Sequence, residues 1–283
     1  MCLTASEQML TIASMASVYL DENARKEITD FINAAWNADG GVCGRDTHSD
    51  LYYTLFAVKS LQALKVAIPT ARIQSYLSSF GDGGGLDFVH LACLARLCGS
   101  FAVSGDMRRS IMHRLEKFRA ADGGFNHTNM NVAHGTAYGT LLAMLALEDM
   151  NLPFNNAQNL MEIFSREFMS HSNTAAISAA LLSLKQSGFK IREKESEWLL
   201  AQHLDAGGFR AAPHVSRPDL LSTAVALFAL RRLNAPIASI RKPCLEFVES
   251  LWRDSGGFAG DATDEFEDCE YTFYALLSIG CLI

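Results

Sequence analysis

Gly256-Gly257-Phe258-Ala259-Gly260, followed by Asp268-Cys269-Glu270-Tyr271-Thr272-Phe273-Tyr274-Ala275-Leu276-Leu277, is the stretch that decides the fold: a glycine turn, a polar loop, then an almost wholly apolar run. The same order recurs upstream. Gly207-Gly208-Phe209 leads to Asp219-Leu220-Leu221-Ser222-Thr223 and an apolar run, and Gly123-Gly124-Phe125 leads to His134-Gly135-Thr136-Ala137-Tyr138. Gly40-Gly41-Val42 leads to Asp50-Leu51-Tyr52-Tyr53-Thr54, and Gly84-Gly85-Leu86 runs straight into Asp87. The fourth unit lacks the glycines, and its apolar run starts at Ser172-Asn173-Thr174. Self-similarity at such a period is the signature of a repeat architecture.

Each unit has two halves. In the first, Ile28, Phe31, Ile32 and Ala35 form a one-sided stripe of helical period, whereas its partner from Leu51 to Leu64 is apolar on nearly all sides. Amphipathic outer helices are expected at Arg72 to Ser79, Asp106 to Arg119, Asn156 to Met169, Glu193 to His203 and Ser239 to Trp252. Buried inner helices are expected at Asp87 to Cys98, Ala133 to Leu147, Thr174 to Gln186, Asp219 to Leu233 and Asp268 to Ile283. An extra helix from about Ser6 to Tyr19 precedes them. The expected fold is therefore all-α, one domain over 1–283 with repeats from about 22 onward. Such pairs stack either as an open solenoid or as a closed ring, and an open solenoid needs polar terminal faces. The last run, Leu277-Ser278-Ile279-Gly280-Cys281-Leu282-Ile283, is as apolar as any in the middle, which predicts closure into an (α/α)6 toroid. Every glycine turn sits at the same phase, so the loops and inner-helix N-termini gather at one end.

With 49% hydrophobic residues among 283, the chain has a large core to bury. Its net charge of −7 offers no basic face for a nucleic acid. Met9 to Leu20 is too short and too rich in Ser and Thr for a membrane span, and no cationic segment precedes it as in a signal peptide, so the expected location is the cytoplasm. Seven scattered cysteines, an odd number, fit reduced buried thiols.

These repeats resemble the β subunits of protein prenyltransferases and, more broadly, the α/α-toroid superfamily that also contains class II terpenoid cyclases. The resemblance runs from about Glu22 to Ile283 and implies an isoprenoid or isoprenyl diphosphate as ligand, and it admits an α-type helical-repeat partner subunit. Ala133-His134-Gly135 with Tyr138 looks like the prenyltransferase segment whose histidine helps bind the diphosphate. In that family zinc is held by an Asp, a Cys two residues on and a His, which map here onto Asp219, Leu221 and Tyr271. Leucine offers no ligand and zinc needs three or four, so the expectation is no zinc. Terpenoid cyclases of class II carry an Asp-x-Asp-Asp-Thr acid segment. The corresponding residues are Asp268-Cys269-Glu270-Tyr271-Thr272, with Glu270 at the place of the protonating acid.

Several residues compete for function on their own chemistry. His134 is placed near an inner-helix N-terminus, where free N–H groups favour phosphate, and Arg210 and Arg217 sit in an equivalent loop and would supply charge-assisted forks. Arg45, His48, His127 and His214 lie in similar loops. Asp50, Asp219 and Asp268 each start an inner helix, where capping is the plain role and acid chemistry the alternative. The carboxylates Asp261, Asp264, Glu265, Glu267, Asp268 and Glu270 would serve as a cyclase acid, a Mg²⁺ site or a solvated loop. The aromatics Tyr52, Tyr53, Phe56, Phe88, Tyr138, Phe228, Tyr271, Phe273 and Tyr274 are divided between cavity lining and core, and Phe125, Phe209 and Phe258 are expected to plug the turns. The favoured reading is prenyltransferase-like binding or processing of an isoprenoid without the family zinc. A cyclase acting through the 261–270 loop and a non-catalytic scaffold or lipid carrier are the alternatives.

Overall fold

The computed structural model describes residues 3–154, 159–170 and 173–283. Helix α1 (Ala5–Tyr19) is followed by alternating outer and inner helices. The outer helices are α2 (Glu22–Ala34), α4 (Thr70–Ser79), α6 (Gly105–Glu116), α8 (Leu160–Ser170), α10 (Glu193–Leu200) and α12 (Arg241–Ser250). The inner ones are α3 (Leu51–Leu64), α5 (Phe88–Ser100), α7 (Ala137–Asp149), α9 (Thr174–Gln186), α11 (Leu220–Arg232) and α13 (Cys269–Leu282). Asn156 and Ser172, expected at the start of an outer helix and an inner run, lie outside the described residues.

The recurring Asp-x-x-x-Thr element has a double structural role. Asp219 and Asp268 adopt extended backbone and cap their helices, accepting from Ser222 N at 2.7 Å and Tyr271 N at 2.9 Å. Four residues on, the threonine hydroxyl donates to the cap carbonyl and accepts the N–H of the residue after the glycine pair: Phe209 N to Thr223 Oγ1 is 2.9 Å, Phe258 N to Thr272 Oγ1 is 3.3 Å and Val42 N to Thr54 Oγ1 is 2.9 Å. The glycine turn is thus tied to the first turn of the inner helix, and short antiparallel pairs such as Phe258–Ala259 with Glu267–Asp268 continue the link. Phe125, Phe209 and Phe258 are fully buried, as turn plugs should be.

Inner helices pack on their neighbours in chain order, and α13 returns to pack on α3, closing the ring. The outer layer closes as well. Gly256 has φ +90° and its turn lies so close to α2 that a Cβ there would be 2.4 Å from the Glu27 carbonyl oxygen, so glycine is required at the seam. Helix α1 belongs to no hairpin. It packs on α13, α3 and α7 across the C-terminal ends of the inner helices: Ala13 and Ala16 are buried, and Ile12 O lies where a side chain on Gly280 would be. Glu148, near the end of α7, receives the N–H groups of Ala5 at 2.8 Å and Ser6 at 3.3 Å. The ring therefore has a helical floor at one end and loops at the other. Among the described residues no helix is long and apolar enough to cross a membrane.

One boundary differs from expectation in a way that matters. The third inner helix begins at Ala137, capped by Thr136, rather than at Ala133, because Gly135 packs directly on the Gly124 backbone and holds the preceding residues in the loop. His134 therefore stands before the helix instead of inside it.

Candidate functional site

The repeat phase decides which side chains meet on the ring axis. Tyr52, Val89, Tyr138, Ala175 and Leu221 are each the second residue after their helix cap, and all five line one central cavity. From that position the lining steps down at i+3, i+4 and i+7, as a helix face must: Tyr52, Leu55, Phe56 and Lys59 on α3, Val89, Ala92, Cys93 and Arg96 on α5, Tyr138, Leu141, Leu142 and Leu145 on α7. Phe273 and Tyr274 continue the wall on α13, and Met9 of α1 contributes to the floor. The space free of protein atoms, its mouth and adjoining solvent included, is about 880 Å³.

Glu270 holds the second position after the cap on α13 and so completes the uppermost layer of the ring. It is 9% exposed, and its Oε1 accepts the hydroxyl proton of Tyr52 at 2.6 Å across the seam between the last and first repeats. Burial pushes its carboxyl up to about 7, with the Asp268 carboxylate reinforcing the shift and the Tyr52 hydrogen bond and Arg45 opposing it. The aromatic rings below form one contact chain, Tyr52 to Phe56 at 4.9 Å, Phe56 to Tyr274 at 5.3 Å and Phe56 to Phe273 at 5.7 Å between centroids. A carboxyl that is protonated near neutral pH thus stands above an apolar, aromatic chamber, an arrangement able to give a proton and to stabilise positive charge through ring faces.

Around this acid the seam is braced. Arg45 reaches Asp264 Oδ2 at 2.6 Å and Asp268 Oδ2 at 3.0 Å, and its guanidinium lies 5.5 Å from the Tyr271 ring centre. Burial raises the Asp268 carboxyl despite the Tyr271 N–H and Arg45. On the adjoining helices His90 bridges Asp50 at 3.0 Å and Asp87 at 2.9 Å, and the Asp50 hydrogen bond, ahead of Asp87 and against desolvation, lifts its imidazole to about 9. The two caps of α3 and α5 are in this way joined by an imidazolium.

The other expected site residues are placed differently. His134 is 62% exposed on its side chain, 3.5 Å from Asp122, which also takes Arg166 at 2.8 Å, and it does not line the cavity. Arg210 turns back onto Gln202 and the Ala201 carbonyl, and Arg217 is exposed beside the Asp261 loop. These three cations do not converge on one anion site. Asp219 is a cap whose carboxyl burial raises against the opposing Ser222 hydrogen bonds, and Tyr271 packs over Gly260, where a Cβ would meet its ring carbon at 2.5 Å. Tyr52, Tyr138 and Tyr274 do line the cavity, while Phe88 and Phe228 are core. The six acidic residues also separate: Asp261 folds back on Thr263 and Asp264, Asp264 and Asp268 bind Arg45, and Glu270 alone faces the ring axis.

The sequence matches the family described as "Prenyltransferase alpha-alpha toroid domain" over residues 3–171 and 174–282. The chain belongs to the prenyltransferase alpha-alpha toroid family. No curated protein matches it in sequence. Among solved structures, the type II terpene cyclase MstE from Scytonema superposes with a TM-score of 0.62 at 11% identity, covering 92% of this chain and 96% of that one. A variant of MstE in complex with geranylgeranyl dihydroxybenzoate, its substrate, gives 0.63 at 11% over 95% and 97%, and one with the product merosterolic acid A gives 0.60 at 12% over the same shares. At these identities the likeness concerns the toroid alone. Of the three positions onto which the zinc ligands of protein prenyltransferases map, Asp219 caps α11, Leu221 is apolar cavity wall and Tyr271 packs over Gly260 in the turn.

Lys59, Arg96 and His90 escaped the sequence reading. Their signal was present in the letters: Lys59 is the one charged residue in α3 and Arg96 the one arginine or lysine in α5, both on runs that are otherwise buried all round.

Proposed function

We propose that this toroid binds an isoprenoid in its central cavity and cyclises it by protonation, with Glu270 as the acid. The observation that carries the reading is Glu270 itself, a carboxyl in the uppermost inward layer that burial holds at about 7, hydrogen-bonded to a cavity-lining tyrosine. The reaction moves the Glu270 proton onto the terminal alkene carbon of the bound chain. The positive charge left on the more substituted carbon is attacked by an internal double bond, forming the ring carbon–carbon bond, and loss of a proton from the cyclised cation restores an alkene. Phe56, Phe273 and Tyr274 present ring faces to the charge as it moves, and the apolar wall keeps water from quenching it. That variants of a structural neighbour, the type II terpene cyclase MstE, form complexes with a geranylgeranyl substrate and with the product accords with this use of the fold. Transfer chemistry, which ionises a diphosphate, is less well supported, since His134, Arg210 and Arg217 lie apart.

The purified protein should be incubated with geranylgeranyl diphosphate and separately with farnesoic acid, and extracts searched for ring-containing isomers of the same mass while released pyrophosphate is measured. Cyclised isomer that disappears in Glu270→Gln but persists in His134→Ala is the expected result. Pyrophosphate release dependent on His134 and indifferent to Glu270 would refute the assignment in favour of ionisation.

A further inference from the structure

The lowest layer of the cavity breaks the apolar rule in two adjacent repeats. Seven residues below Tyr52 and Val89, the equivalent positions on α3 and α5 are Lys59 and Arg96, and both line the cavity, while the matching residues on α7 and α9 are Leu145 and Leu182. Lys59 is 7% exposed and Arg96 is 6% exposed. A single carboxylate oxygen serves both: Arg96 Nε is 3.0 Å from Asp149 Oδ2, whereas Lys59 Nζ is 3.9 Å from the same atom, outside hydrogen-bond reach. Glu148, the next acidic residue, is engaged by the first N–H groups of α1 and by Gln186 at 2.7 Å. Two cations against one anion leave a positive charge buried at the end of an otherwise apolar chamber, and no hydrogen bond to the Lys59 ammonium forms among the described residues. A buried ammonium that shares its one carboxylate with a guanidinium and makes no hydrogen bond is costly, by several kcal/mol, so the position calls for an anion supplied from the cavity.

We infer that Lys59 and Arg96 form a head-group site for a singly charged carboxylate, and that the substrate is an isoprenoid acid bound with its head on the floor and its tail alkene under Glu270. The inference rests on the isoprenoid reading of the cavity and specifies its substrate class. Seven helical residues separate the two layers by about 10 Å, about the reach of two isoprene units. A monoanion matches the one unbalanced positive charge. A diphosphate, carrying several negative charges, would exceed it. Opposite polarity at the two ends also fixes the direction of binding, because a carboxylate placed near Glu270 would meet Asp268 and a carboxyl that ionises near neutrality.

The charged groups facing Lys59 are Arg96 from α5 and Asp149 from α7, with Met9 and Ser6 of α1 adding none and α13 contributing only Glu270 at the far end. Burial, with Arg96 beside it and Asp149 opposing, brings the Lys59 ammonium down to about 8. Binding of an acid should therefore weaken as Lys59 loses its proton.

Farnesoic acid, farnesol and farnesyl diphosphate, which share a tail, should be titrated by calorimetry into the wild type and Lys59→Met at pH 7 and pH 9. Expected are tighter binding of the acid than of the alcohol or the diphosphate by about tenfold or more, and a loss of about tenfold in acid affinity from pH 7 to pH 9. Both differences should vanish in Lys59→Met while farnesol binds as before. Glu270 and His90 also titrate across this range, but both remain in the variant, so a pH dependence that survives there overturns the assignment to Lys59. Equal affinity of acid and alcohol in the wild type sinks the head-group site and leaves the isoprenoid cavity standing. If none of the three probes binds, the isoprenoid reading fails and this inference with it. Should the variant not fold, Lys59→Arg, whose guanidinium stays charged at pH 9, takes its place: the acid should keep its preference over the alcohol there, and a fall of about tenfold in acid affinity from pH 7 to pH 9 that survives overturns the assignment to Lys59.

Discussion

Replacing Glu270 by glutamine tests the core of the proposed chemistry without requiring the substrate to be known. Glutamine keeps the volume and keeps an oxygen to accept the Tyr52 hydroxyl at the 2.6 Å contact, but it cannot ionise. In the folded protein the carboxyl is lifted from an ordinary 4.5 to about 7. The folded state then holds the proton more tightly than the unfolded chain, and stability is lost as pH rises between these two values. At 1.36 kcal/mol per tenfold change in proton affinity, the penalty above neutrality is about 3 kcal/mol. Glu270→Gln escapes it. Urea unfolding at pH 5 and at pH 8 should show the wild type losing about 2.5 kcal/mol more than the variant across that interval, since the unfolded carboxyl is already largely ionised at pH 5, while at pH 5 the two differ by less than about 1 kcal/mol. Catalysis should follow the same proton, with wild-type turnover falling as pH rises through about 7 and none in the variant. If wild type and Glu270→Gln lose stability in parallel from pH 5 to pH 8, the carboxyl ionises normally, and it cannot be the protonating acid.

Other consequences of the structure are as direct. Metal analysis of the purified protein should find no stoichiometric zinc, and Asp219→Ala should cost about 1 kcal/mol of stability, the worth of a helix cap; one zinc per chain lost with that substitution would reinstate the family metal. His90, held between Asp50 and Asp87, should titrate near 9 by NMR, and the stability it confers should be complete below 6.5 and disappear as pH rises through about 9; an imidazole titrating near 6.5 would remove the imidazolium bridge. Arg45→Met, which leaves the buried Asp268 carboxylate without its guanidinium, should destabilise by about 1 to 3 kcal/mol and push the Glu270 carboxyl higher, an effect that a proton titration of Glu270 would miss only if Arg45 does not reach it. Gly256→Ala places a Cβ against the Glu27 carbonyl at a left-handed backbone and should cost about 2 kcal/mol or more, with thermal unfolding as the readout; a neutral substitution would mean that the ring seam is not packed there.

The letters alone determined the repeat, and through it the toroid. Glycine pairs, capping aspartates and the threonine four residues on are local devices, each acting within one hairpin, so their spacing carried the outer and inner helices and the end at which the loops collect. The failure at His134 was also local: the sequence shows the glycine at 135 but not that the Gly124 backbone would lie against it and delay the helix to Ala137. What the sequence could not display is adjacency across the closed ring. Tyr52 and Glu270 are separated by 218 residues and meet because α13 packs on α3, and Arg45 finds Asp264 and Asp268 across the same seam. Six carboxylates that read as one acidic loop were sorted by burial, which left five at the surface or in ion pairs and caps and turned one toward the axis. Likewise, Lys59, Arg96 and Asp149 come from three different repeats, and α1, which has no place in the repeat at all, covers the end where they lie. Ionisation and charge balance depend on distance and on exclusion of water, and both were decided only when the ring closed.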